Sequence, residues 1–361
     1  MSRPSLFLTL FLYSVLTLGF TAAEEAADLD IEKATVTELR HVDSDFKYQG
    51  EYWGSAWDPC SGCVPVGLQV VARGDGKFDA IEYRCGLPGA GWDGERTRKL
   101  SGAVSEDVLA LHGESVEILA DGAVATLCDS AGKPLGQLRK IERVSPTLHA
   151  VAPSGAHVLF DGSSTDQWVG GKTTADGLLE VGSTTKAPVG DFRLHVEFRI
   201  PYMPRAAWQG RGNSGVYIQQ RYEVQILDSF GAEGLKNDCG ALYQQTPPDV
   251  NMSLPPLSWQ TYDLWFTAAR WDQAGKKTAN ARITLLHNGV PVHSNREITS
   301  KTGAGKPEGP ENLPILFQNH GNPVHFRNIW MVPDLQSSVA RETGVRFPRL
   351  GRLLQRMHRG R

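Results

Sequence analysis

The sequence carries no excess of charge of either sign. Its 37 Lys and Arg stand against 40 Asp and Glu, a formal net charge of -3. That removes the electrostatic footprint of a chain built to bind nucleic acid. Long helical periodicities are scarce, which argues against a bundle or an alternating α/β architecture. Long apolar runs are also missing, apart from Leu6 to Phe20. That run is short of the roughly 20 residues a membrane span needs. Arg3 precedes it, and Thr21-Ala22-Ala23 offers a small-residue cleavage site before Glu24. The pattern predicts an export signal, leaving a soluble periplasmic or extracellular protein. Cysteine is sparse: Cys60, Cys63, Cys85, Cys128 and Cys239. An odd count leaves at least one thiol unpaired within the chain. Export would permit a bridge among Cys60, Cys63 and Cys85, while Cys239, alone in its region, reads as a small buried hydrophobe.

What is abundant is Gly (38) and Pro (21), in a chain of 361 residues that is 40% apolar and 21% charged. Such a composition is globular, long enough for two domains, and favours many short strands joined by turns. The organisation predicted is a signal peptide (1–23), a mobile leader (24–45) and a smaller β-rich domain (46–145). A linker (146–157), a β-sandwich (158–333) and a basic tail (334–361) follow. In the first domain, Leu68 to Ala72 with Phe78 to Tyr83, and Val116 to Ala120 with Val124 to Cys128, flank turn signals and predict two hairpins. No catalytic constellation stands out there. In the second, Phe192, Leu194, Val196, Phe198 and Ile200 alternate with Arg193, His195, Glu197 and Arg199. That is the pattern of a half-buried antiparallel strand. Asn288-Gly289 marks a hairpin between Ile283 to His287 and Val290 to His293. The two histidines, His287 and His293, read as surface residues. Arg341 to Arg361 holds seven arginines and one acid, Glu342; it reads as a solvated tail rather than a membrane contact.

The polar residues of interest cluster between Gly212 and Ser229. Alternation puts Tyr222, Val224 and Ile226 on a core face and Arg221, Glu223 and Gln225 on the other. A base, a carboxylate and an amide on one rigid strand suit sugar hydroxyls or proton transfer; an ordinary solvated sheet face is the bland alternative. Two further polar segments are Asn237 to Tyr243 and Gln318 to Pro323, the latter containing His320.

These motifs occur in a fixed order. Leu159-Phe-Asp-Gly162 is followed by Gly212-Asn-Ser-Gly215, Arg221-Tyr-Glu-Val-Gln-Ile-Leu-Asp-Ser229 and Trp259-Gln-Thr-Tyr-Asp263. Leu286-His-Asn-Gly289, His320-Gly-Asn-Pro323 and Phe326-Arg-Asn-Ile-Trp330 complete the series. Over about residues 156–333 the chain resembles the 3-keto-disaccharide hydrolase domain family. The family pattern reads Gln-Asp-His-Gly where this chain has Gln318-Asn319-His320-Gly321, so the acid of that pattern is missing at 319.

The resemblance implies a concanavalin A-like jelly-roll sandwich with a sugar cleft. It also implies enzymatic cleavage of 3-keto-glycosides, in which a base removes the proton at C2 and the enolate expels the group at C1. Glu223 or His320 would be the base. Asn213, Gln225, Arg327 and Arg221 would bind the substrate, and Asp228 would donate a proton. A divalent ion held by Glu223, Asp228 and His320 is a further expectation, although one histidine and two acids are not a recognisable ligand spacing. A nicotinamide-dependent sugar 3-dehydrogenase acting elsewhere is the partner activity implied. Two other functions compete: a non-catalytic, lectin-like module and a conventional two-carboxylate glycosidase. Trp208, Trp259, Trp265 and Trp271 are candidates to stack on sugar rings in the 3-keto-glycoside enzyme and the lectin-like module alike, with a place in the core as the alternative for each. The two-carboxylate glycosidase needs paired acids facing one cleft, whereas Glu223 and Asp228 fall on opposite faces of an unbroken strand.

Overall fold

The computed structural model of the protein describes residues 35–333. The expected signal segment, the expected leader before residue 35 and the expected basic tail lie outside the described residues. No helix among the described residues is long and apolar enough to cross a membrane.

Eight antiparallel strands close into a barrel: β1 (Gly50–Asp58), β2 (Gly62–Gly74), β3 (Lys77–Arg84), β4 (Thr97–Ser105), β5 (Val108–His112), β6 (Val116–Ala120), β7 (Val124–Asp129) and β8 (Pro134–Ile141). Each pairs with the next, and β1 pairs again with β8 through Glu51 opposite Ile141. Closure leaves no sheet edge exposed. Tyr52, Leu68, Val70, Phe78, Leu109, Leu111, Ile118 and Leu138 fill the interior. At Gly102 an added Cβ would lie 1.8 Å from the Ala110 carbonyl oxygen, so β4 and β5 approach closely only because glycine stands there. The two sequence-predicted hairpins are β2/β3 and β6/β7. The described end of the leader is anchored, not loose: Val36 bridges Tyr202, and the Asp45 carboxylate accepts the Gly76 N–H at 2.9 Å.

The second half is a jelly-roll-type β-sandwich. Its short strands are β9 (His157–Phe160), β10 (Trp168–Val169), β11 (Leu179–Glu180) and β12 (Thr184–Thr185). Then come β13 (Phe192–Arg199), β14 (Ser214–Ile218), β15 (Tyr222–Ile226) and β16 (Trp259–Thr267). After a small ribbon of β17 (Arg270–Trp271) and β18 (Lys277–Ala279) follow β19 (Ala281–His287), β20 (Val290–Ile298), β21 (Leu316–Phe317) and β22 (His325–Pro333). One sheet runs β10-β12-β21-β14-β15 and the other β11-β22-β13-β16-β19-β20, with β9 beside β22. Phe192, Leu194, Val196 and Phe198 of β13 face Val216, Ile218, Val224 and Ile226 of the smaller sheet in one core. Each such burial contributes roughly 1.5–3 kcal/mol.

The structure corrects three expectations. Strand β13 is buried on both faces, because residues 145–150 lie over its polar side. There the Glu197 carboxylate accepts hydrogen bonds from Arg327 Nε (2.8 Å), Asn328 Nδ2 (2.9 Å) and the His149 N–H. His195 Nδ1 meets Asp263 at 2.8 Å, and Thr147 Oγ1 donates to the same carboxylate at 2.7 Å. His287 and His293 are fully buried, not surface residues; their Nε2 atoms meet Gln260 Oε1 and the Gly240 carbonyl. Burial pushes their pKa down to about 3 and about 4. All five cysteines are free thiols, so the bridge expected among Cys60, Cys63 and Cys85 is not formed. Cys239 is buried beside the Tyr262 hydroxyl, as a small hydrophobe would be.

Candidate active site

The hairpin β14/β15 sets the site. Its register places Tyr217 opposite Glu223 and Gly215 opposite Gln225. These four residues share the face of the smaller sheet turned away from the core. The turn between the strands is held in an unfavourable form: Gln219 and Gln220 both have φ near +52°. The Gln219 amide anchors it by donating to the Val189 carbonyl at 2.7 Å, an outlay that a rigid site can justify.

Glu223 is 2% exposed. The Tyr217 hydroxyl donates to its Oε2 at 2.7 Å. The Gln225 amide, oriented with its nitrogen towards the carboxylate, donates to Oε1 at 3.0 Å and to the Ser214 carbonyl at 2.9 Å. Glycine at 215 makes this possible, since a Cβ there would lie 2.5 Å from Glu223 Oε1. Thr302 and Gly303 close over the carboxylate from a distant loop. Thr302 Oγ1 accepts the Glu223 N–H at 2.6 Å, and a Cβ on Gly303 would sit 3.1 Å from Glu223 Oε2. Desolvation raises the Glu223 pKa to about 7, against the lowering pull of the Tyr217 hydrogen bond.

Above this carboxylate lies an open cavity of about 370 Å³. Gln209, Asn213, Tyr217, Glu223 and Gln225 line one part, and Tyr243, Gly303, Gln318 and His320 another. Glu223 is the one carboxylate among the described residues that line it. His320 is exposed on the Gln318–Pro323 loop. Asn319, where the family pattern has an acid, accepts the Gly321 N–H at 2.9 Å and so shapes the turn beside the histidine. Gln318 Oε1 is buried with no hydrogen-bond donor. Asn213 fixes the wall, donating to the Gln209 carbonyl at 2.6 Å.

The fold thus brings together Glu223, His320, Gln225 and Asn213. It leaves three predicted site residues elsewhere. Asp228 is not at this cavity: its carboxylate pairs with Arg211 Nε at 2.6 Å, with both side chains buried. The β15 strand ends at Ile226, and no bulge turns Asp228 back towards Glu223. Arg221 lies in the turn before β15, where it donates to the Pro307 and Glu311 carbonyls and pairs with the Glu311 carboxylate. Arg327 is on the other sheet, bound to Glu197 and stacked 3.8 Å from the Trp259 ring centroid. The expected metal-ligand set of Glu223, Asp228 and His320 does not form, and no group of three His, Cys, Asp or Glu among the described residues is placed to hold an ion.

Sequence reasoning missed Tyr217 and Gln209. Tyr217 had a signal, because a hairpin read through the Gln219-Gln220 turn puts it directly across from Glu223. Thr302 and Gly303 had none, being nearly 80 residues away along the chain.

Residues 155–332 match the 3-keto-alpha-glucoside-1,2-lyase-like domain family. This segment belongs to that family. The barrel lies outside the matched region. The chain is similar to a protein of Parabacteroides distasonis named "putative glycosyl hydrolase", at 33% identity over 51% of this chain and 85% of that one, with a TM-score of 0.47. A second protein so named, from the same organism, is 19% identical over 50% of this chain and 94% of that one, with a TM-score of 0.36. No curated protein matches the chain significantly. At the level the family supports, the 3-keto-alpha-glucoside-1,2-lyase-like segment makes this chain a carbohydrate-active enzyme.

Proposed function

We propose that the chain cleaves 3-keto-glycosides by proton abstraction at C2 and elimination at C1. One observation carries the reading: among the described residues the cavity holds a single carboxylate, Glu223, desolvated to a pKa of about 7. A paired-acid glycosidase needs a second carboxylate across the cleft, and the described lining has none. A general base works best with a pKa near the operating pH.

In the proposed reaction the ketone at C3 acidifies the C2 hydrogen. Glu223 takes that proton, and the electron pair moves into C2–C3 as the enolate forms at the C3 oxygen. The enolate then collapses to the ketone, a C1–C2 double bond forms, and the C1–O bond breaks. His320, at the exposed rim, supplies the proton that the departing oxygen takes. Water can add afterwards, hydroxyl to C1 and proton to C2, which separates a hydrolase outcome from a lyase outcome. Tyr217 and Gln225 hold the Glu223 carboxylate in place; Gln318 Oε1 is an acceptor left for a sugar hydroxyl. The ketone has to come from oxidation of a C3 hydroxyl, so a sugar dehydrogenase would supply the substrate. Export, from the Leu6 to Phe20 segment, is part of the same proposal.

Incubation with 3-keto-trehalose and with trehalose tests the reading. The wild type is expected to cleave only the oxidised sugar, and Glu223→Gln is expected to lower its turnover by at least 10²-fold. Cleavage of plain trehalose, or a Glu223→Gln variant as fast as wild type, contradicts it. Saturable binding without turnover would instead identify a lectin-like module.

A further inference from the structure

A second concavity lies between the barrel and the sandwich, and its volume is about 810 Å³. Arg73, Asp79, Ile81 and Lys99 line the barrel side, while Trp208 and Phe230 are among the sandwich residues facing them. Trp208 is its most exposed aromatic: 85% of its surface meets water, and its backbone has φ +53°. An exposed indole and a left-handed non-glycine residue are both unfavourable for folding, and such outliers concentrate at binding sites. The next residue, Gln209, lines the cavity of Glu223. The linings of the groove and of the catalytic cavity thus adjoin along the chain at residues 208 and 209.

The groove is close to electrically neutral in its pairing. Arg73 is bound to Asp79, Lys99 to Glu233 and Arg211 to Asp228. A charged ligand gains little from such walls. A neutral ligand with hydroxyl groups and flat C–H faces suits them, since an indole offers a wide apolar plane and the paired side chains offer hydrogen bonds along its edges. Arg211, 2% exposed, adds a buried Nη2 donor without a partner on this wall. The volume falls within the range of well-filled ligand sites.

We propose that this groove binds the further sugar units of an oligosaccharide whose 3-keto ring occupies the Glu223 cavity, with Trp208 as the stacking platform. The inference rests on the proposed elimination. A terminal keto ring cleaved at C1 carries its remaining units on the departing oxygen, so the groove is a leaving-group site. It also gives the barrel a role: the barrel supplies the wall opposite Trp208, making the enzyme selective for chains over disaccharides.

The test uses the full chain and 3-keto derivatives of malto- and cello-oligosaccharides of two and five units. In the series that is cleaved, wild type is expected to show kcat/KM at least tenfold higher for five units than for two. Trp208→Ala is expected to lose that advantage, its kcat/KM for five units falling to within about twofold of its own value for two. No length preference in wild type, or its retention in Trp208→Ala, overturns the inference. If no keto sugar is cleaved, the elimination reading fails separately, and the groove is tested by tryptophan fluorescence titration with unoxidised pentaoses. A saturable change present in wild type and Glu223→Gln but absent in Trp208→Ala supports the groove; a change independent of Trp208, or none, overturns it.

Discussion

Glu223 is stored in the folded protein at a cost. Its pKa rises from the usual 4.5 to about 7 because burial disfavours the charged form. A group raised in the native state keeps its proton there while the unfolded chain has lost it. Stability is therefore fully present below pH 4.5 and falls as pH rises towards 7. The gap corresponds to ~3 kcal/mol at about 1.4 kcal/mol per pH unit. Rate runs the other way, because the base must be ionised. We predict that kcat/KM on a 3-keto-glycoside rises through an apparent pKa near 7. In denaturant titrations, Glu223→Gln should be more stable than wild type above pH 7 by up to roughly 3 kcal/mol and equal to it near pH 4. A flat pH–rate profile below pH 8, with no pH-dependent stability difference, would show that Glu223 is not a desolvated base.

At the scale of elements, alternation in β13 and β15 was readable because side chains repeat every two residues. It placed Val224 and Ile226 in the core and Glu223 with Gln225 on the working face. It failed where a strand is covered twice. Nothing local in Arg193 to Arg199 says that residues 145–150 will cap the polar face, so His195 and Glu197 read as half-exposed. It failed at Arg221 because β15 begins one residue later, and at Asp228 because the strand stops at Ile226. The cap over β13 has its own signature. Burial would raise the Glu197 pKa, but His195, Asn328, Arg327 and the His149 N–H outweigh it and lower the pKa to about 2. A depressed carboxylate stabilises above pH 4.5, and that stabilisation, of the order of 3 kcal/mol, is lost as pH falls from 4.5 towards 2. Denaturation midpoints of the wild type should therefore drop steeply between pH 5 and 2.5. Glu197→Gln should be less stable at pH 6 but show a shallower acid slope; an unchanged slope would remove Glu197 as the source.

For the whole molecule, the barrel and sandwich are joined by apolar as well as polar contacts: Tyr202 and Leu257 of the sandwich half pack into the barrel's own core. Arg211 bonds Asp228 with Nε and reaches the Ala72 carbonyl of the barrel with Nη1 at 3.3 Å. Tyr202 donates to Asp43 at 2.9 Å, Arg205 pairs with Asp75, and Gly231 approaches Val71 so closely that a Cβ would lie 2.5 Å from it. The Asp228 of the family-like motif thus acts as a fastener between the two halves, which explains an acid at that position without chemistry. Barrel closure was illegible in the sequence because it depends on the pairing of β1 with β8, some 85 residues apart.

The central claim is that the bond at C1 breaks only after the C2 proton has gone. Cleavage of 3-keto-trehalose in D₂O, followed by proton NMR from the first turnover and corrected for exchange in free 3-ketoglucose, tests it directly. The account predicts that the unsaturated keto sugar, or keto sugar with deuterium at C2, is released from the first turnover, any protium at C2 being only what Glu223 returns before it exchanges. Release of keto sugar with full protium at C2 and no unsaturated product at any time would contradict it.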